Sequence, residues 1–333
     1  MKTHIEPANT KAELAHAVES AVYLLSGAFP VALPTETVYG LAGWALNKDA
    51  LFRIFTIKER PQFDPLIVHL PSLEWLDNLC AISHEDRPLV ERLAAAYWPG
   101  PLTIILPRKP VVPDLVTSGM PTVAVRMSAH PVFKEVIEHF GQPLAAPSAN
   151  RFGRVSPTLA RHVMDELGGR IHLVVDGGPT QHGVESTIIT VRRDHVWIMR
   201  NGPITAEELG RHANVSVATA PSGNRPLAPG QLKSHYAPTT PLKLLAPGET
   251  PYLAARGPVG LLAFCSSENT GHFQAVEVLS RQGDLREAAT NLFNKLRLLD
   301  SMGLKQIVVE SVPETGLGAA IMDRLRKAAA AHE

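Results

Sequence analysis

Apolar positions along the chain fall into two periods. Leu14, Val18, Val22 and Leu25 share one face of a 3.6-residue repeat behind Thr10 and Glu13, which are spaced as a capping box, so a helix is expected over residues 11–26. The apolar run 28–33 predicts a buried strand. It delivers the segment Pro34-Thr35-Glu36-Thr37-Val38-Tyr39-Gly40-Leu41, expected as a strand-to-helix loop, and then a helical pattern through Leu51, Ile54 and Phe55. That pattern stops at Lys58-Glu59-Arg60-Pro61, where the proline halts it. A strand is expected over 65–70, a helix over 84–97 ending before the rigid turn Trp98-Pro99-Gly100-Pro101, and strands over 102–106 and 122–127. Residues 131–140 read as a helix with Pro131 in its first turn and Gly141 as its stop.

Further on, the segment 144–158 breaks at Pro147 into a polar loop, with Ser156 expected to cap a helix that begins at Pro157. Residues 174–176 predict a strand, and 188–191 with 196–199 a hairpin. Thr205 and Glu208 predict another capped helix start. From 213 to 241 periodicity ends. Prolines at 221, 226, 229, 238 and 241 predict an extended linker, unusual in carrying His235-Tyr236. Beyond it, strands at 260–265 and 306–310 with helices at 284–302 and 317–330 form a βαβα pattern, hence a small open parallel sheet. The expected division is therefore 10–212, a linker 213–241 and a second domain 242–333, which suits a chain of 333 residues.

Composition narrows the function classes. At 45% hydrophobic and 19% charged, the chain is of the ordinary globular type. Lysine plus arginine and aspartate plus glutamate both total 32, so no global field recruits nucleic acid, and any RNA contact is expected to be weak or transient. Cys80 and Cys265 lie too far apart to suggest a disulfide framework, and neither a signal-type segment nor a spanning apolar run is present, so a cytoplasmic location is expected.

Several side chains admit two readings. The segment 34–41 is either a capped loop or a ligand site at the carboxyl edge of a sheet. Lys58 and Arg60 either complement a helix dipole or clamp an anion. Arg126, alternating with apolar residues in a strand, requires a buried carboxylate or an anionic ligand. His69 near a strand end is either a satisfied polar residue or a functional one. Ser148, Asn150, Arg151, Arg154 and Ser156 supply donors for a phosphate, or simply a polar loop.

The ordered set PTETVYGL (34–41), KERP (58–61), PLIVH (65–69), WPGPLTIIL (98–106), TVAVRM (122–127), APSAN (146–150), SPT (156–158), ESTI (185–188) and RNGPI (200–204) resembles the YrdC-like (YrdC/YciO) family. HYAP (235–238) and the βαβα tail are similar to its long, two-domain form, so the resemblance spans residue 10 to the end. It implies an α/β fold, with a YrdC-like twisted mixed-sheet N-terminal domain with flanking helices and a small Rossmann-like C-terminal domain. It also implies a reaction of L-threonine, bicarbonate and ATP, giving threonylcarbamoyl-adenylate and pyrophosphate. The adenylate would pass to a tRNA threonylcarbamoyl transferase. By the same resemblance, Thr35, His69, Arg126, Ala146 and Ser186 fall on threonine positions. Lys58, Arg60, Gln62, Thr122, Ser148, Asn150, Ser156, Arg200 and Tyr236 fall on nucleotide positions, with Lys58 and Arg60 stabilising the departing phosphates. Mg²⁺ is expected to travel with ATP, because neither a Walker-type loop nor a carboxylate or histidine cage is apparent. Phe152 departs from the family's frequent serine, and Ala228, Gln231, Leu232 and Ser234 depart from its usual linker.

Three other readings stand beside this on sequence, one of them a short-form relative with lost activity, against which the intact Lys58, Arg60, Ser148 and Asn150 positions argue. An RNA-binding module of the same fold could use Arg151, Arg154, Arg161 and Arg170. A carbamoyl-transfer enzyme would need zinc-finger and acylphosphatase parts that this chain lacks.

Overall fold

The first helix forms where its caps predict it. In a computed structural model, which describes residues 1–218, 230–232, 234–249, 257–265 and 272–332, the Thr10 hydroxyl accepts from Glu13 N while the Glu13 carboxylate accepts from Thr10 N. In chain order the first domain contains β1 (His4–Pro7), α1 (Lys11–Ser26), β2 (Val31–Leu33), β3 (Gly40–Trp44), α2 (Lys48–Lys58), β4 (Ile67–His69), α3 (Glu74–Leu79) and α4 (Arg87–Tyr97). It continues through β5 (Leu102–Pro107), α5 (Asp114–Thr117), β6 (Thr122–Arg126), α6 (Pro131–Phe140), β7 (Leu144–Ala145), α7 (Ala160–Leu167), β8 (Leu173–Asp176), β9 (Thr187–Arg192), β10 (His195–Arg200), α8 (Ala206–Leu209) and β11 (Asn214–Val217).

These strands form one mixed sheet in the order β1-β8-β2-β3-β7-β4-β6-β5-β9-β10-β11. Strand alternation sends successive side chains to opposite faces. Val31, Leu33, Leu173 and Val175 accordingly pack against α1 and α6, whereas Ala32 and Val174 join the core under α2, α4 and α7. Both faces are covered, which is why the strands read as apolar runs rather than as alternating ones.

The second domain adds β12 (Leu242–Leu244), β13 (Val259–Ala263), β14 (Ala275–Val278), α9 (Leu285–Asp300), β15 (Gln306–Val309) and α10 (Leu317–Ala329). Its sheet runs β12-β15-β13-β14, with every neighbouring pair parallel. Leu262, Ile307 and Val309 pack against α9 and α10. That core continues into the first domain through Val38, Val155 and Val184, and through Tyr236 of the connecting segment.

Four differences from the sequence reading bear on the site. The segment 34–41 leads not into a helix but into β3, which returns antiparallel to β2, so it is a strand-to-strand loop. A five-residue, fully apolar strand carries no alternation to announce itself. Ser156 does not cap a helix: α7 begins at Ala160 behind Leu159 with no side-chain cap, and the Ser156 hydroxyl donates instead to Glu185. The small domain has β12 and β14 beside the two strands expected. Finally, residues 214–217 at the start of the expected linker pair with β10 in the large sheet. Part of that linker, including residues 219–229 and 233, lies outside the described residues. Among the described residues, no helix is long and apolar enough to cross a membrane.

Candidate functional site

The site lies at the carboxyl ends of β4 and β6, where an α/β sheet exposes a crevice. These strands are parallel and in register, with His69 opposite Arg126, so the two side chains reach the sheet edge together. The loop after β2, the Ala146-Pro147-Ser148 segment after β7, and the Glu185-Ser186 approach to β9 close around them. Arg200 from the end of β10 and Tyr236 from the connecting segment complete the wall.

Of the residues singled out on sequence, Thr35, Arg60, His69, Arg126, Ala146, Ser148, Ser186, Arg200 and Tyr236 line one cavity. Glu185, Thr37, Gly40, Gly230 and His235 line it as well. Lys58, Gln62, Thr122, Asn150 and Ser156 do not. Gln62 is exposed and Thr122 half-buried at the start of β6. Lys58 is buried behind the loop, where its ammonium donates to the carbonyls of Ser148 and Asn150. Burial, reinforced by the neighbouring Arg60, pushes its pKa well below the ordinary lysine value. Asn150 in turn donates from Nδ2 to the carbonyls of Arg151 (2.7 Å) and Arg154 (2.9 Å), so the Lys58–Asn150 pair shapes the loop that presents Ser148.

The cations of the cavity are tied by the protein. Arg126 makes a buried ion pair with Glu36 and a 3.3 Å bond to the Thr37 hydroxyl, while its Nε has no partner. Glu36 also accepts from the Ser128 hydroxyl (2.5 Å) and Ala129 N (3.2 Å). Burial opposes the Glu36 charge, but Arg126 and Ser128 outweigh it and hold the carboxyl below its usual range. Both sequence alternatives for Arg126 are thus present: a buried carboxylate on one side and a ligand cavity on the other. Within the 34–41 segment nothing local shows that Glu36 meets a residue of another strand, so its role is visible only in the fold.

Arg60 pairs with Asp64 at 2.8 Å and donates to the carbonyls of Asp64 and Pro65. Arg200 donates from Nε (3.1 Å) and Nη2 (3.0 Å) to the Ser186 carbonyl, and from Nη2 to the Ser186 hydroxyl. Thr35 uses its hydroxyl on its own loop, donating to Val38 O at 2.7 Å and accepting from Thr37 N and Val38 N.

Polar atoms without a partner among the described residues collect here: His69 Nδ1, His235 Nδ1, Arg126 Nε and the Tyr236 hydroxyl, all buried. Buried polar atoms normally find a partner, so such a cluster marks where a ligand supplies one. Burial holds both imidazoles neutral, well below the ordinary histidine range; Arg126 adds to this at His69, and Arg60, Lys58, Arg200 and Lys327 add to it at His235.

The cavity encloses about 50 Å³. A nucleotide site needs on the order of several hundred Å³, so the cavity, with the connecting segment in place, is too small to enclose a whole nucleotide. That segment is pinned on both sides, by Ala237 N to Gly153 O (2.8 Å) and His235 N to Lys327 O (3.2 Å). Tyr236 adopts a φ of +62° and stacks on Phe293 of α9 at 5.7 Å. Gly230 sits where any Cβ would fall 2.5 Å from the Tyr236 hydroxyl, and its φ of +81° is one that side-chain-bearing residues rarely adopt.

The arginines that could have served RNA are already partnered. Arg151 meets Glu166 (3.1 Å), Arg154 meets Asp300 (3.9 Å), Arg170 meets Glu59 (2.5 Å), and Arg161 donates to Asn294.

Comparison with known proteins gives the same architecture. Residues 24–202 match the model of the Sua5–YciO–YrdC family, described as telomere recombination, and residues 204–330 match a model described as the threonylcarbamoyl-AMP synthase C-terminal domain. A threonylcarbamoyl-AMP synthase of Bacillus subtilis is 40% identical over 94% of this chain and 92% of its own length. The Pyrococcus abyssi enzyme of that name is 41% identical over 90% and 89%. The crystal structure of P. abyssi Sua5 complexed with L-threonine superposes with a TM-score of 0.88 at 36% identity, covering 99% of this chain and 98% of that one.

Proposed function

The chain belongs to the Sua5–YciO–YrdC family, and from that membership we propose that it is an L-threonylcarbamoyladenylate synthase, a nucleotidyltransferase. Its substrates are L-threonine, bicarbonate or dissolved CO₂, and ATP. The products are threonylcarbamoyl-adenylate and pyrophosphate, the former serving threonylcarbamoylation of tRNA adenosine by a separate transferase in the cytoplasm.

One observation carries the reading. A single cavity joins Arg126 Nε and His69 Nδ1, both unpaired, to Arg60, Arg200 and the hydroxyl of Ser148. The guanidinium provides a grip for an amino-acid carboxylate, and neutral His69 suits a hydrogen bond to an uncharged group. Thr37 and Ser186 give the pocket hydroxyls, which favours threonine over valine because the site's polar groups would otherwise lie unpaired.

The chemistry then needs two bond changes. The threonine amine, having lost a proton, attacks CO₂ or bicarbonate to form a carbamate, with water released in the bicarbonate case. A carbamate oxygen attacks the α-phosphate in line, the bond from the α-phosphorus to the bridging oxygen breaks, and pyrophosphate departs. Arg60 and Arg200 stabilise charge on the departing phosphates, while Lys58 holds the loop that presents Ser148. Mg²⁺ enters as part of the Mg-ATP substrate. The one carboxylate among the described cavity residues is Glu185, and its oxygens are taken by Ser156 and Arg324. In that form the phosphate oxygens would hold the ion, and Glu185 would remain with Ser156 and Arg324. With Tyr236 seated, the strap excludes water from a labile carbamate and adenylate.

The test is pyrophosphate release from Mg-ATP by the full chain, with threonine and bicarbonate each present or omitted and with valine and serine as alternatives. Release that requires both co-substrates is expected. Intact ATP under every combination would overturn the reading, and steeply salt-dependent tRNA binding in its place would favour the RNA-binding module.

A further inference from the structure

Among the described residues, the largest side chain buried to near completion belongs to α10 of the C-terminal domain, yet it is spent on residues that line the cavity. Arg324 is 1% exposed. Its Nε donates to Glu185 Oε2 at 2.9 Å, Nη1 meets Asp323 at 2.8 Å, and its guanidinium carbon stands 5.2 Å from the centre of the Tyr236 ring. The other Glu185 oxygen accepts from the Ser156 hydroxyl at 2.5 Å. Glu185 and Tyr236 both line the cavity, whereas Arg324 stands one layer behind them.

An interface arginine could be seated at far lower cost at the rim. Removing a guanidinium from water is expensive unless charges compensate it, and removing either partner of such a pair leaves the other uncompensated. Glu185 is the decisive partner. It faces the space that a triphosphate must share, and an unneutralised carboxylate there repels the substrate. The Tyr236 ring is likewise held between Phe293 on α9 and the Arg324 cation. The 181–186 segment that carries Glu185 is fixed from the same side: the Thr290 hydroxyl donates to Gln181 O at 2.9 Å, and any Cβ on Gly183 would fall 2.4 Å from Ala289 O.

Resting on the synthase reading, we propose that Arg324 is a positioning residue of the nucleotide half of the site. It neutralises Glu185, fixes the Ser156–Glu185 pair and seats Tyr236, so the C-terminal domain completes ATP binding without touching ATP. The domain's role is then electrostatic as well as mechanical.

The test uses the full-length chain and titrates AMP-PNP, a non-hydrolysable ATP analogue, and L-threonine separately by calorimetry. Arg324→Met is expected to weaken AMP-PNP binding about tenfold or more, the usual result of stripping one partner from a buried charge pair, with threonine affinity changed less than about twofold. Adding Glu185→Gln to Arg324→Met removes the stranded anion and is expected to recover most of that loss. Glu277→Ala, which breaks the pair with Lys295 inside the C-terminal domain and away from the cavity, is expected to leave AMP-PNP binding unchanged. Should the Met variant fail to fold, Arg324→Lys keeps the charge while losing the Nε geometry, and a smaller but still ATP-selective weakening is expected of it. Unchanged AMP-PNP affinity in a folded Arg324 variant overturns the proposal. So does parallel weakening of both ligands, or a double variant no better than the single. If wild type binds AMP-PNP but releases no threonine-dependent pyrophosphate, the synthase reading falls instead.

Discussion

Glu36 and Arg126, 90 residues apart in the chain, form a buried ion pair beneath the ligand cavity, each side chain 4% exposed. Glu36 lies in the loop after β2 and Arg126 ends β6, so the pair ties the loop to the centre of the sheet.

Glu36→Ala strands a buried guanidinium, and a loss of about 3–5 kcal/mol is expected. Glu36→Gln retains a hydrogen-bond acceptor and should lose less. Urea unfolding of the three proteins checks the order, and calorimetric threonine titration should show weaker binding in both variants. Equal stability of Glu36→Ala and wild type would remove this role for the pair.

Lys58→Met replaces a buried amine by an apolar side chain of similar length and frees the Ser148 and Asn150 carbonyls. The fold should persist while the Ser148 loop shifts, and a displacement of about 1 Å is enough to lower turnover about 100-fold. Circular dichroism and pyrophosphate release, measured on the same sample, separate the two effects. Turnover at the wild-type level would show that the loop does not depend on Lys58.

The Tyr236 hydroxyl is buried without a partner, so Tyr236→Phe should match or exceed wild-type stability, because it removes an unsatisfied polar atom. If ATP satisfies that hydroxyl, the KM for ATP rises severalfold while the KM for threonine stays put. A variant less stable than wild type would mean that the protein itself, not a ligand, pairs the hydroxyl.

His69, His162 and His235 are buried and neutral, with His162 depressed to about 3. His130 and His182 shift the same way, burial being the main cause in each. The unfolded chain therefore binds more protons than the native one once pH falls below the ordinary imidazole value, and stability drops from there. Each such histidine contributes up to about 1.4 kcal/mol per pH unit below pH ~6.5. Glu36, held low, adds its own loss only below its ordinary range, while Lys58, held well below the ordinary lysine value, adds a loss of the same sign that begins at higher pH, so the histidines show as a steepening of the urea midpoints between pH 7.5 and 5.5. His162→Asn should flatten that slope. A midpoint constant across this window would contradict the buried neutral imidazoles.

Gly202 has no room for a side chain: a Cβ would fall 2.3 Å from Thr187 N and 2.6 Å from Glu185 O. Gly202→Ala must therefore push back the strand start that carries Glu185 and Ser186, and activity should fall about 100-fold or more. Full activity in Gly202→Ala would show that the Glu185–Ser186 backbone tolerates displacement.

Much of this molecule is written locally. The capping boxes at Thr10 and Thr205, the proline start and glycine stop of 131–140, and the 188–199 hairpin are each decided by side chains a few residues apart, and they form as read. The ordered motifs likewise named nine of the cavity-lining residues, because a loop at a strand's carboxyl end presents its hydroxyls and cations wherever that strand sits. Strand β3 and the short strands β12 and β14 escaped, since segments of three to five residues are too short to show a decisive period. What only the tertiary structure decided is which charges meet. Glu36 with Arg126, Lys58 with the Ser148 loop, and Arg324 with Glu185 join segments 90, 90 and 139 residues apart. The energy of a buried charge depends on the partners and solvent around it, and those are set by packing across the sheet and between the two domains rather than by neighbours in sequence.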